Sequence, residues 1–532
     1  MMNRWLCYLA NSLLCLMYRR EYNAYVRISD VREQQQRKLL DLLHQNRDTA
    51  FGRRYGFPAI ERVAEYQTRV PLSTYEDYVD EMARIGQGES NVLTRENVIL
   101  LEPTSGSTGA TKLIPYTRSL KEAFQKGLKP WLYDLYTQKP GLRWGKSYWS
   151  ITPAVTKRAC SPGGIPIGFE EDSAYFGGVE KKLMDFLFAV PNRVSRESNM
   201  DAFFLETAVH LLLCRHLTLI SVWHPTFLFL LLAFMTRETD RVLARVRHKD
   251  PQRAIEVTKL LKANQYHRLW PHLQVISCWL DGHAAVHEKQ LREWFPHVLI
   301  QPKGLLATEG FISLPFTGEK GARLSLGSHF FEFLDPDSQQ VLLAHELKTG
   351  HIYEVVITTA GGLYRYRMKD LVEITGHSGV FPLLKFRGKA DRISDLFGEK
   401  LHEQFVGDVL KQVFQAKNLE PGFFMTAPEK DHYVLYLQLN PDGREVSEPD
   451  GVKEWCSQVT AAVENGLRAN CHYDYCRRLG QLKPLRVFRL TGNPHQEYLE
   501  ECVQRGQRLG DIKPTALHLQ GGWDLVFKGD FP

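Results

Sequence analysis

This sequence predicts a large α/β domain followed by a smaller α+β domain. Three observations predict it. β-like apolar runs alternate with helical patterns up to about residue 360, the order that produces a mostly parallel sheet covered by helices. Beyond that point the strands come closer together and read as hairpins, so the far end of the large domain is expected to be partly antiparallel. Finally, Arg387-Gly388-Lys389-Ala390-Asp391-Arg392 sets a glycine and several charges directly after an apolar strand, which marks a boundary. The expected domains are residues 1–390 and 391–532. Composition agrees: 43% hydrophobic and 24% charged residues exclude disordered, collagen-like and coiled-coil chains. A net charge of +6 on 532 residues suits an anionic small molecule and is too weak to argue for nucleic acid. Nine scattered cysteines exclude a disulfide scaffold. Cys471 and Cys476 flank a histidine, but no second cysteine pair completes a zinc site, so reduced thiols are expected.

The elements follow in order. Residues 5–17 are apolar after Arg4, like a signal-peptide core, yet Tyr18-Arg19-Arg20-Glu21 follows in place of a small-residue cleavage site. The run is too short to span a bilayer. It is expected to be an amphipathic helix packed on the body, with weak peripheral membrane contact as the alternative. Residues 21–90 read as charged helices, and residues 98–101 as a short strand. Residues 217–235 contain no Asp, Glu, Lys or Arg, but His224-Pro225-Thr226 divides them into a strand over 217–223 and a helix over 227–235. A soluble, cytoplasmic chain without a transmembrane segment is therefore expected. Further strands are expected at 273–280, 298–301, 330–334, 351–358, 371–374 and 383–387. The second domain should hold helices over 403–416 and 452–469 and strands over 432–439 and 485–489.

Four segments carry chemistry. Thr104-Ser105-Gly106-Ser107-Thr108-Gly109-Ala110-Thr111-Lys112 follows a strand, and its glycines, hydroxyls and lysine are what a polyphosphate needs, although it is not a Walker A loop. In Ala307-Thr308-Glu309-Gly310 the threonine offers a hydroxyl to a phosphate and the glutamate an oxygen ligand to Mg²⁺. Tyr364-Arg365-Tyr366-Arg367-Met368-Lys369-Asp370 ends in an aspartate that can accept both ribose hydroxyls. Gly510-Asp511-Ile512-Lys513-Pro514 offers a lysine from a short loop. Each of these also has an ordinary reading, as a surface loop, a solvated charge or an edge strand.

Their order resembles the adenylate-forming enzymes, and more closely the Gretchen Hagen 3 family of acyl acid–amido synthetases. The Thr104–Lys112 loop with Leu113-Ile114-Pro115-Tyr116-Thr117 resembles that family's first motif, the Thr308-Glu309 turn its second and the Tyr364–Asp370 segment its third. Ser394-Asp395-Leu396-Phe397-Gly398-Glu399-Lys400-Leu401 resembles the start of its C-terminal domain, and the Lys513 loop its closing motif. The resemblance implies an adenylate-forming fold in which residues 1–390 bind ATP and acyl acid and residues 391–532 are mobile. It implies ATP- and Mg²⁺-dependent adenylation of a carboxylic acid, then acyl transfer to an amine, usually that of an amino acid. Ser105, Gly106, Ser107 and Thr108 would hold phosphates, Thr308 the α-phosphate, Glu309 the Mg²⁺ and Asp370 the ribose. Gly282 would line adenine, Lys513 would stabilise charge during adenylation, and Asp391 with Arg392 would mark the pivot. Thioester formation with coenzyme A, or a non-catalytic nucleotide-binding relative, are the alternatives. Two departures stand out: Lys369 replaces the usual glycine before the aspartate, and Leu305-Leu306 stand where an aromatic residue often precedes the Thr-Glu pair. Residues 223–235 and 148–151 are apolar and aromatic enough to line an acyl pocket.

Overall fold

The computed structural model describes residues 2–104, 112–150, 159–168, 178–197, 199–438, 449–505, 507 and 512–532. The chain forms two compact units: Met1–Leu280 with His287–Phe386, and Asp281–Val286 with Arg387–Pro532.

The first unit is built on sheets of different kinds. A fully parallel one runs Lys146–Trp149, Leu217–Ser221, Val275–Cys278, Leu299–Pro302 in spatial order. All residues of the two central strands are buried, which is why both read as continuous apolar runs. The break at His224-Pro225 behaves as the proline requires. His224 caps the helix Pro225–Arg237, its Nδ1 accepting the Thr226 N–H, and Pro225 occupies the first turn, where its missing N–H costs nothing. No helix among the described residues is long and apolar enough to cross a membrane. A seven-stranded antiparallel sheet carries the rest, in the order Val341–Leu343, Phe330–Leu334, Ile352–Thr358, Tyr366–Ser378, Phe381–Lys389, Ala322–Leu324, Ser313–Pro315. A smaller sheet is organised around the antiparallel pair Leu100–Pro103 and Leu113–Tyr116.

The N-terminal helix Met2–Val26 packs on the helix Arg118–Gln138 and buries Cys7, Leu14, Cys15 and Tyr18, while Asn11 donates to the carbonyls of Arg143 and Gly145. Its other face is apolar and uncovered: Trp5, Leu6, Leu9, Leu13 and Leu16 are 44–63% exposed.

The second unit is α+β. Phe423–Pro428 pairs antiparallel with Tyr433–Gln438, which pairs parallel with Arg486–Leu490. The helices Glu403–Ala416 and Pro449–Leu467 contribute Val406, Val409, Leu410, Cys456, Val459 and Val463 to the unit's core. Buried Glu399 accepts the N–H groups of Leu396 and Phe397 and the Tyr433 hydroxyl, which fixes the turn that opens the unit. Cys471 and Cys476 lie on the helix Cys471–Arg478, and no described group of His, Cys, Asp and Glu is arranged to hold a metal by itself.

Candidate active site

The hydroxyl-rich loop hangs from a closed hairpin. Leu100 to Pro103 pair with Tyr116 to Leu113, and the Thr104 N–H donates to the Lys112 carbonyl at 2.8 Å. Ser105, Gly106, Ser107 and Thr108 lie outside the described residues. The foot of the loop is held from the side. The Lys112 ammonium lies 3.6 Å from Glu76 and 5.5 Å from the Tyr75 ring centre, and the Tyr75 hydroxyl accepts the Leu113 N–H.

Thr308 and Glu309 form the two-residue tip of a tight reversal. Ala307 and Gly310 exchange both backbone hydrogen bonds, at 3.0 and 3.2 Å, and Leu306 bridges Phe311. The Tyr116 hydroxyl donates to the Thr308 carbonyl at 2.6 Å. Tyr116 lies four residues from Lys112, about 14 Å of extended chain, so the hairpin that bears the first loop is tied to the turn. Gly310 is required here, because a Cβ would come 2.9 Å from His329 Nε2. That nitrogen accepts the Phe311 N–H at 3.0 Å. Burial, aided by the charges of Lys38 and Lys126, lowers His329 to about 3, so it stays a neutral acceptor.

The same turn meets the third segment. The Cβ position of Gly310 lies 3.3 Å from Ile357, and Ile357 pairs in register with Tyr366. The Tyr366 phenol is raised well above its ordinary value, first by burial and then by the charges of Glu309 and Glu76. The Glu309 carboxylate therefore faces the start of the strand that carries Asp370. A carboxylate oxygen such as that of Glu309 could serve Mg²⁺, which is typically bound through one or two carboxylates together with substrate phosphates.

Asp370 is buried within a bulge of the Tyr366–Ser378 strand. Opposite that bulge, Glu354 pairs with Leu371 and Val356 with Arg367, which displaces the three residues between Arg367 and Leu371 from the regular ladder. Lys369 has φ +62° there, the left-handed conformation that glycine adopts at least cost. The lysine holds that conformation at a cost of about 1–2 kcal/mol. Arg365 has φ +48° and is held by a buried pair: its Nε lies 3.0 Å from Glu332, and its guanidinium also donates to the carbonyls of Gln67 and Val70. Arg367 is paired bidentately with Glu354. Both arginines of this segment are committed to the scaffold.

In the second unit Lys513 is exposed, and its carbonyl accepts the Tyr498 hydroxyl at 3.3 Å. Its neighbour Thr515 is bonded to Glu403 and Arg392, and Arg392 lies 3.0 Å from Glu403. The lysine loop is thereby tied to the residues that open the unit, next to Asp391. Gly282 has φ +58° and opens the short 3-10 helix Gly282–His287, of which the residues to Val286 group with this unit.

Sequence reasoning missed Lys303. It follows the parallel strand Leu299–Pro302 and stands among three tryptophans.

Comparison with known proteins decides the family. The GH3 family N-terminal domain matches residues 25–300, the central domain residues 323–389 and the C-terminal domain residues 404–520. The chain belongs to the GH3 family. Among GH3 relatives, a probable indole-3-acetic acid-amido synthetase of Oryza sativa subsp. japonica is 22% identical, with 95% of this chain and 89% of the relative aligned. A jasmonoyl–L-amino acid synthetase of Nicotiana attenuata is 23% identical, over 80% of this chain and 81% of the relative. The solved AtGH3.15 acyl acid amido synthetase, in complex with 2,4-DB, superposes with a TM-score of 0.83 at 18% identity, covering 97% of this chain and 96% of that one. A 2-hydroxyisobutyryl-CoA ligase in its postadenylation state superposes at 0.54 and 12% identity, covering 86% and 85%. The GH3 chain described here therefore has the adenylate-forming fold, with a large N-terminal α/β part and a smaller C-terminal part.

Proposed function

We propose that this chain adenylates a carboxylic acid with ATP and then transfers the acyl group to an amine, most naturally the amino group of an amino acid. The observation that carries the reading is the 2.6 Å bond from Tyr116 to the Thr308 carbonyl, which ties the foot of the hydroxyl-rich loop to the Thr-Glu turn. The GH3 relatives, named as amido synthetases that use indole-3-acetic acid or form jasmonoyl–amino acids, support the amide product.

The chemistry has a clear need for such a site. A free carboxylate is a poor electrophile because oxide would have to leave; joined to AMP, it has a phosphate leaving group. Charge builds on the α-phosphate, so donors and cations aimed there lower the barrier. In this reading Ser105, Gly106, Ser107 and Thr108 cradle the phosphates and Thr308 donates to the α-phosphate. Glu309 holds Mg²⁺, which when bound neutralises phosphate charge. Asp370 accepts the ribose hydroxyls and Gly282 leaves room for adenine. Residues 391–532 carry Lys513 to the phosphate for the first step and withdraw it for the second, turning at Asp391 and Arg392. Incubation with ATP, Mg²⁺, mixed carboxylic acids and the protein amino acids, followed by mass spectrometry, tests this. An amide with AMP and pyrophosphate is expected. A product formed only with coenzyme A, or no acid-dependent AMP at all, would overturn it.

The N-terminal helix supports a peripheral partner, an anionic lipid surface. Its uncovered stripe from Trp5 to Leu16 ends at a cleft of about 500 Å³ lined by Leu16, Arg19, Arg20, Asn23, Ala24 and Arg27, with three cations and no acid. Apolar insertion beside basic groups is how interfacial helices bind acidic membranes. Flotation with phosphatidylserine vesicles, lost in Leu9→Glu/Leu13→Glu, is the expected result; equal flotation of that variant would contradict it.

A further inference from the structure

The carboxyl edge of the parallel sheet holds a polar row that the scaffold leaves only partly satisfied. Register places Trp149 beside Ser221, Ser221 beside Ser277, and Ser277 beside Gln301. Residues in register on neighbouring strands project to one face. Ser221, Ser277 and Gln301 are 3%, 0% and 4% exposed. Gln301 Oε1 accepts the Trp131 indole N–H at 3.0 Å, yet its Nε2 has no protein partner, and neither has Ser277 Oγ. Buried polar atoms are nearly always satisfied, so two orphans in adjacent strands point to a missing ligand.

Over this row stands a cation. Lys303 Nζ donates to Ser221 Oγ at 2.8 Å and lies 5.3, 5.9 and 5.4 Å from the ring centres of Trp131, Trp149 and Trp223. No carboxylate among the described residues pairs with it. Burial lowers the ammonium to about 8, which leaves it mostly protonated at neutral pH. Lys303, Trp149 and Trp223 are each partly accessible, so the row is reachable from solvent. The carboxyl ends of parallel strands are where open α/β sheets receive ligands. Thr308 follows five residues later, within about 18 Å along the chain.

We propose that Lys303, Gln301 and Ser277 form the seat for the carboxylate of an apolar, ring-bearing acid, with the three tryptophans walling its body. This rests on the acid-activating reading and adds the residues that recognise the acid. Lys303 and Gln301 Nε2 donate to the two carboxylate oxygens, and the Ser277 hydroxyl supplies a third bond. An acceptor amino acid carries a carboxylate too; the enclosed aromatic walls favour the acid substrate, and the experiment separates the two.

The test titrates the full-length protein with phenylacetate and indole-3-acetate, each against its uncharged primary amide, and reads tryptophan fluorescence. The acids are expected to bind about tenfold or more tightly than the amides. Lys303→Met should abolish that preference, Lys303→Arg should retain most of it, and Gln301→Met should weaken acid binding by severalfold. Equal affinity of acids and amides for the wild type, or an unchanged preference in Lys303→Met, overturns the proposal. If Lys303→Met does not fold, the wild-type acid-to-amide ratio and Gln301→Met still decide it. In pyrophosphate exchange Lys303→Met should raise the KM for the acid; a rise only in the KM for the amino acid during transfer would move the seat to the acceptor and contradict this assignment. Acid binding without any exchange in the wild type would instead defeat the adenylation reading and leave the carboxylate seat standing.

Discussion

Two residues of one segment share a left-handed backbone and should respond oppositely to glycine. Lys369, at φ +62°, adopts a conformation that costs an ordinary residue about 1–2 kcal/mol. Glycine removes that cost but gives back about 0.5–1 kcal/mol through the greater freedom of the unfolded chain. Lys369→Gly should therefore stabilise the first unit by about 0.5–1 kcal/mol. Arg365, at φ +48°, would gain the same relief and lose far more. Its partner Glu332 is 1% exposed, and breaking one side of a buried ion pair costs about 3–5 kcal/mol. Arg365→Gly should be destabilising by about 3 kcal/mol net. Urea unfolding of both variants, followed by tryptophan fluorescence and checked by thermal melts, measures the pair. Destabilisation by Lys369→Gly would refute the claim that the lysine is strained into a glycine's place. A neutral Arg365→Gly would refute the structural role given to the Arg365–Glu332 pair.

Other outcomes follow from the same geometry. His329 is neutral when folded, with a pKa of about 3, and titrates near 6.5 when unfolded, so the unfolded chain binds the extra proton between those values. Its contribution is complete above pH 6.5 and is lost as pH falls, by up to about 1.4 kcal/mol per unit. His329→Gln, which keeps an acceptor for Phe311, should flatten the stability slope between pH 7 and 5 in urea titrations; an unchanged slope would contradict the assignment. Tyr116→Phe removes one hydrogen bond to the Thr308 carbonyl, worth about 1 kcal/mol, and should slow pyrophosphate exchange severalfold while ATP binding persists. Full activity in that variant would show the tie to be dispensable.

Much of the fold is legible in the sequence. The proline at 225 forced the division of a run that a hydropathy count alone would pass as a span, and the structure has a strand and a capped helix there. The expected strand over 330–334 and helix over 403–416 appear with those limits, because each has one dominant period and clear flanking signals. What escaped was set by tertiary pairing. The partners of Arg365 and Arg367, Glu332 and Glu354, lie on other strands of the seven-stranded sheet, and only strand order brings them together. Lys303 was invisible for the same reason. Its three tryptophans come from residues 131, 149 and 223, and nothing short of the register shows that they converge. Lys369 is legible as a lysine in a glycine's usual place, but its left-handed backbone is seen only in the fold.

Acid-dependent exchange of labelled pyrophosphate into ATP tests the central claim most directly, because it reports adenylation alone. Wild-type protein with a panel of ring-bearing and aliphatic acids should catalyse exchange, with Glu309→Gln and Lys513→Ala each slower by about 10²–10³-fold. Wild-type exchange that neither substitution slows would contradict the site, and no exchange with any acid would contradict the function.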